Sequence, residues 1–242
     1  MTSCGSARVL VVGVGGLGCP AALALARAGV GTLGLVDDDL VDVSNLHRQI
    51  LFEADDVGRP KVPAAAARLK QLAPAVQLEL HETRLLPGSA SSLVQQYDLV
   101  VEGSDNFATK FLAADACAIG RKPIVHAAAV RWHGTALAVG PSGGPCYRCL
   151  FEDVPLENAP NCAEAGVIGP MVGVVAAAQA DLALSVLAGE DVFGELFTFD
   201  GKTLASRRRR VPRRRTCLLC GDAASILTIE PRRYVEGICT VA

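Results

Sequence analysis

Hydrophobic residues fall along the chain in short runs separated by helix-forming stretches. Arg8-Val-Leu-Val-Val12 is an apolar run of strand length, and it leads through Gly13-Val-Gly15-Gly16-Leu-Gly18 into Ala21–Ala28, where a helix is expected. A second run, Thr32–Val36, ends in Asp37-Asp38-Asp39. The same pattern predicts strands at Val76–His81, Asp98–Val101 and Pro123–Ala127, alternating with helices near Val62–Leu72 and Phe107–Gly120. This alternation predicts an α/β fold, a Rossmann-like and mostly parallel sheet with helices on both faces. After residue 130 the pattern changes. His133–Val139 and Phe197–Arg209 read as strands that extend the sheet antiparallel, and Met171–Leu187 reads as a long helix of small residues. No internal repeat is visible, and no linker marks off a second large domain.

The composition of the 242 residues, 50% hydrophobic and 20% charged, is that of a packed globular chain and excludes a disordered scaffold. The most apolar stretch, Ala165–Ala178, holds fourteen uncharged residues and contains Pro170, fewer than the roughly 18 needed to span a bilayer. The start, MTSCGSARVLVVG, fits neither a signal nor a transit peptide, so a cytoplasmic protein without a membrane partner is expected. Net charge is −2, but seven of the 23 basic residues lie in Arg207–Arg210 and Arg213–Arg215, which leaves the rest of the chain acidic. Without interleaved aromatics, this cluster reads as a guarded edge strand or a docking face for an acidic partner rather than as a nucleic-acid surface.

Gly13-x-Gly15-x-x-Gly18 between a strand and a helix leaves backbone N–H groups free to face a phosphate. Asp37, at the end of the second strand, is placed to accept hydrogen bonds from ribose hydroxyls. The pair indicates an adenine nucleotide without separating NAD from ATP, and no substrate domain for hydride transfer follows. Two of the Cys-x-x-Cys type, Cys146-Tyr-Arg-Cys149 and Cys217-Leu-Leu-Cys220, read as a metal site before they read as disulfides. Cys4, Cys19, Cys117 and Cys239 carry no such pattern.

Three further motifs narrow the reading: Ser44-Asn45-Leu46-His47-Arg48-Gln49, Gly58-Arg59-Pro60-Lys61 and Gly103-Ser104-Asp105-Asn106. With them the chain resembles the adenylyltransferase superfamily of ubiquitin-activating enzymes, and most closely the MoeB and ThiF branch that activates sulfur-carrier proteins. The resemblance runs from Val9 to about Gly221. It implies one adenylation domain over 1–242, with a nucleotide-binding half to about 140, a zinc and carrier-docking half over 141–221, and a tail over 222–242. It also implies a homodimer that uses ATP and Mg²⁺ to adenylylate the C-terminal carboxylate of a ubiquitin-like carrier ending in Gly-Gly.

A carboxylate with its reference pKa near 4 needs no base at neutral pH, and the difficulty lies in bringing an anion up to a polyanion. Positioning and cationic stabilisation are therefore the expected sources of rate. The resemblance gives Arg48 and Lys61 that task, with Asn45 as a neutral donor, Gly16 in the glycine loop, and Asp105 as the carboxylate for Mg²⁺. Capping of the following helix is the competing role for Asp105. Cys146, Cys149, Cys217 and Cys220 correspond to the family's closed, structural zinc site. Cys162 lies where ThiF-type relatives carry a loop cysteine that can link covalently to the carrier.

Two departures stand out. The chain starts almost directly at the first strand, without the helical segment that carries an arginine to the neighbouring subunit, and Lys110 stands where an arginine commonly follows the Asp-Asn motif. They keep open a degenerate module that binds ATP or a carrier without chemistry, and the Arg207–Arg215 cluster keeps open an adenylase acting on a tRNA base, as a related branch of the superfamily does.

Overall fold

The computed structural model describes residues 4–141, 144–154 and 166–234. Its centre is an eight-stranded sheet in the order β3-β2-β1-β4-β5-β6-β7-β8. The strands β1 (Arg8–Val12), β2 (Thr32–Val36), β3 (Gln77–His81), β4 (Leu99–Glu102) and β5 (Ile124–Val130) run parallel, with β1 between β2 and β4. The strands β6 (His133–Val139), β7 (Glu195–Asp200) and β8 (Ala205–Arg210) extend the sheet antiparallel. The α/β class and the antiparallel extension are thus as the sequence pattern predicts.

Both faces are covered, which is why the central strands show no polar alternation. Val9 and Val11 point into one core with α1 (Gly18–Arg27) and α2 (Lys61–Leu72), while Leu10 and Val12 point into the other with α3 (Pro87–Gln95) and α4 (Phe107–Ile119). A one-turn helix α5 (Tyr147–Leu150) joins this second core, and α6 (Gly169–Leu187) packs on β5, β6 and α1. At 19 residues, α6 outruns the uncharged stretch read from sequence, and by length and composition alone it could cross a membrane. Half of it is buried within the fold, and Gln179, wholly buried, donates through Nε2 to the carbonyls of Glu102 (2.8 Å) and Val125 (2.9 Å).

One prediction of the pattern is corrected. Phe197–Arg209 is not a single strand but the hairpin β7–β8, with Phe197 opposite Arg208 and Asp200 opposite Ala205. Asp200 makes the turn by accepting from the Lys202 N–H (2.9 Å), and Leu204 has a φ of 58°. Arg207–Arg210 lie on the edge strand β8, and most arginines of the 207–215 cluster are paired locally. Arg208 bonds Asp181 and Glu195, Arg210 bonds Asp191, and Arg213 and Arg215 share Asp222.

Candidate active site

The carboxyl ends of β1, β2 and β4 open on one cavity of about 280 Å³, at the point where the chain order reverses in a doubly wound sheet. Gly13, Gly15 and Gly16 line it. Gly13 has a φ of 87°, and a Cβ there would lie 3.0 Å from the Ser104 nitrogen, so only glycine lets the two loops meet. Gly18 does not line the cavity. A Cβ on it would sit 1.8 Å from the Gly13 carbonyl oxygen, so its task is to close the turn beneath the loop. The start of α1 has no side-chain cap; the Cys19 N–H is taken by the Gly15 carbonyl oxygen (2.9 Å), the Ala21 N–H by that of Leu17 (3.2 Å), and Pro20 has none, so the N–H groups that can face an anion are those of the loop leading into Gly18.

Asp37 follows β2 and lines the cavity. Its Oδ2 accepts from the Val14 N–H (2.7 Å) and its Oδ1 from the Asp39 N–H (2.9 Å). Burial raises its pKa, an effect the Lys61 ammonium partly opposes. Lys61 opens α2, is buried, and points back to Asp39 Oδ2 (2.7 Å) and Asp37 Oδ1 (3.9 Å). Arg48 Nη2 donates to Asn45 Oδ1 (2.6 Å), while Nη1 contacts the Ser44 carbonyl oxygen (3.2 Å) and His47 Nε2 (2.8 Å). Because a guanidinium only donates, this contact fixes the Asn45 amide, whose NH₂ remains available as a donor.

Asp105 reaches the cavity from the loop after β4, and it makes no hydrogen bond or ion pair among the described residues. The competing role is taken by its neighbour, since Asn106 caps α4 by accepting from the Thr109 N–H (2.8 Å). Asp37, Asp38 and Asp39 also line the cavity, but Asp105 is a carboxylate there without a partner among the described residues, the kind of group that suits Mg²⁺, which keeps most of its waters. Lys110 does not enter the cavity. It is turned into the fold, 2.9 Å from Glu102, so its charge is held inside the fold and not at the cavity. Burial alone would raise the Glu102 carboxyl, but Lys110 together with His126 and Ser104 holds it at about 2.

Sequence reasoning gave no role to Gln49, which lines the cavity, is buried, and leaves its Oε1 without a partner among the described residues. Its position next to Arg48 in the same motif was the available signal. Cys162 lies outside the described residues.

The four cysteines of the two pairs converge some distance along the chain from this cavity. Cys146 Sγ is 3.5 Å from Cys217 Sγ and 3.9 Å from Cys149 Sγ, and Cys149 Sγ is 3.4 Å from Cys220 Sγ. Sulfurs held about 2.3 Å from a tetrahedral zinc lie about 3.8 Å apart, so the cluster fits that ion with little adjustment. The Arg214 N–H donates to Cys149 Sγ (3.3 Å), as expected around a thiolate.

Two curated relatives named adenylyltransferase and sulfurtransferase MOCS3 are similar to the chain. That of Anopheles gambiae is 43% identical over 224 residues, which cover 91% of this chain and 51% of the relative. That of Sus scrofa is 43% identical over 238 residues, covering 97% and 52%. The chain therefore spans about half the length of the curated relatives it matches. Among solved structures, E. coli MccB with ATP superposes with a TM-score of 0.80 at 22% identity, covering 90% of this chain and 67% of that one, a likeness of fold. The sequence profile of the ThiF family matches residues 2–220, so the glycine loop, Asn45, Arg48, Lys61, Asp37 and Asp105 around one cavity belong to a chain that is a member of the ThiF family.

Proposed function

We propose that the chain uses Mg·ATP to adenylylate the C-terminal Gly-Gly carboxylate of a small ubiquitin-like sulfur carrier and releases pyrophosphate. The observation that carries this reading is the charge arrangement of the cavity: Arg48, Lys61 and the glycine loop line it together with Asp105, which has no partner among the described residues. The names of the MOCS3 relatives support it over the half of their length that matches.

In this reading the glycine-loop N–H groups and the start of α1 seat the phosphates, and Asp37 takes the ribose. One oxygen of the carrier's carboxylate bonds to the α-phosphorus while the bridging oxygen to the β-phosphate leaves with its electron pair. No proton moves. Asn45 and Arg48 donate to the phosphate oxygens as charge shifts, and Lys61 turns from its carboxylates toward the triphosphate. Asp105 would hold Mg²⁺, which would supply charge neutralisation on the phosphates.

The test is ATP–pyrophosphate exchange with a panel of Gly-Gly-ending carriers. Exchange with one carrier is expected, falling at least about 100-fold in Asp105→Ala, the scale of losing one transition-state contact. ATP binding with no acyl-adenylate detectable by mass spectrometry for any carrier would replace this reading with that of a binding module.

The assembly we propose is a homodimer in which each chain carries one structural zinc. Apolar side chains exposed on segments that also reach the cavity, Val43 (69% exposed) and Ile50 (54%) beside Asn45 and Arg48, support the first part, and the sulfur cluster supports the second. Native mass spectrometry is expected to read two chains with two zinc ions, and Cys149→Ser to lose the metal. A monomer free of metal would overturn both.

A further inference from the structure

Beneath the cavity lies a buried charge cluster that the adenylylation chemistry itself does not touch. Glu102 ends β4 and is wholly buried, with Lys110 of α4 (4% exposed) and His126 of β5 (2% exposed) around it. Lys110 Nζ donates to Glu102 Oε2 (2.9 Å) and Oε1 (3.2 Å) and to the Ala127 carbonyl oxygen (2.7 Å). His126 Nδ1 lies 3.0 Å from Glu102 Oε2. Desolvation of such a pair commonly cancels its Coulombic attraction, so stability alone is a poor reason for its presence.

The other side of the carboxylate gives a better one. Glu102 Oε1 accepts from the Ser104 N–H (2.7 Å) and from Ser104 Oγ (2.5 Å), and Ser104 is the residue before Asp105. The strand end that carries Glu102 is itself held by Gln179 Nε2, which donates to the Glu102 carbonyl oxygen (2.8 Å). On its cavity side the turn abuts Gly13. The Ser104 turn is thus clamped from below and in front, while the Asp105 carboxylate beyond it is held by nothing among the described residues.

We propose that the buried Glu102–Lys110 pair, acting through Ser104, is a positioning device that presents Asp105 to the magnesium ion of Mg·ATP. The inference rests on the reading of Asp105 given above. Loss of a group that orients a metal-binding side chain typically weakens the metal by about 10–100-fold. A purely structural role would instead weaken ATP binding equally with and without magnesium.

The experiment measures ATP binding by calorimetry across a magnesium titration and in excess chelator, with circular dichroism to verify folding. Lys110→Met is expected to raise the half-saturating magnesium concentration about tenfold or more, and Ser104→Ala severalfold, on the same scale. Lys110→Arg keeps the charge and should stay near wild type, and chelator-state ATP affinity should hold within about twofold throughout. Ser104→Ala removes one hydroxyl and keeps the test informative if Lys110→Met does not fold. Asp105→Ala separates the two claims. If it raises the magnesium requirement while Ser104→Ala and Lys110→Met leave it unchanged, the positioning role is wrong and Asp105 stands. If Asp105→Ala leaves it unchanged, the assignment of Asp105 fails and the positioning role falls with it.

Discussion

Replacing Arg148 by methionine is expected to lower the unfolding free energy by about 3–5 kcal/mol, the usual cost of stranding a buried charge. Arg148 is 1% exposed and grips Asp115 with two bonds, Nε to Oδ1 (2.8 Å) and Nη2 to Oδ2 (2.9 Å). Its Nη1 reaches the Glu152 carbonyl oxygen (3.1 Å) and Asp153 (3.0 Å), and its guanidinium lies 4.8 Å from the centre of the Phe111 ring. Asp115 sits in the middle of α4 with no exposure, and without the arginine its remaining side-chain partner among the described residues is the Tyr234 hydroxyl (2.9 Å). Because Arg148 lies between Cys146 and Cys149, the pair fastens the cysteine cluster to the helix whose other end forms the cavity. Adding Asp115→Asn removes the stranded charge, so the double variant should be more stable than Arg148→Met alone. Urea unfolding followed by circular dichroism reads both values. A loss below about 1 kcal/mol for the single variant would mean that the Asp115 carboxylate is satisfied by water once the arginine is gone, contrary to its burial.

The parts of this molecule that the sequence makes legible are those set by local pattern. β1, the glycine turn and α1 follow from an apolar run, three glycines at fixed spacing and a stretch of alanine and leucine, and each requires only its neighbours in the chain. The site is legible for a topological reason. In a doubly wound sheet the loops after β1, β2 and β4 must share one edge, so Gly13, Asp37 and Asp105 meet although 92 residues separate the first from the last by their numbers. The hairpin β7–β8 escaped because Thr203 and Leu204 in its turn are strand-forming residues, and the weak Asp200-Gly201 signal did not interrupt the run. The helix α3 escaped because Pro87 and Gly88 read as breakers, whereas proline is well tolerated in a first turn. Least legible were the polar residues inside α4. Lys110 and Asp115 look like interruptions of an apolar helix, and their partners, Glu102 and Arg148, come from other elements that only the fold brings close.

Lys61→Ala is expected to lower the rate of carrier adenylylation about 10²–10³-fold, the scale for removing one preorganised charge from a reacting site. The local arrangement argues for the upper part of that range. Lys61 Nζ stands 2.7 Å from Asp39 and 3.9 Å from Asp37, so its removal takes away a cation and also leaves two carboxylates facing a polyphosphate. Lys61→Arg should recover activity only in part, because a planar fork does not reproduce the compact point charge that the ammonium brings to Asp39 and to the phosphates. Lys61→Ala/Asp39→Asn should be more active than Lys61→Ala, since one of the repelling charges is then absent. The pH dependence has a definite sign. Burial already raises the Asp37 carboxyl and the Lys61 ammonium opposes that rise, so in Lys61→Ala the Asp37 pKa climbs further. Lowering the pH then neutralises Asp37 in the variant before it does so in the wild type; the protonated carboxyl keeps an accepting oxygen for the ribose while its repulsion of the phosphates disappears, so the ratio of variant to wild-type exchange rate should increase as pH falls. Pyrophosphate exchange measured at several pH values reads that ratio directly. If Lys61→Ala stays within about threefold of wild type at every pH, far short of the loss of a phosphate-facing charge, Lys61 serves only to neutralise Asp37 and Asp39.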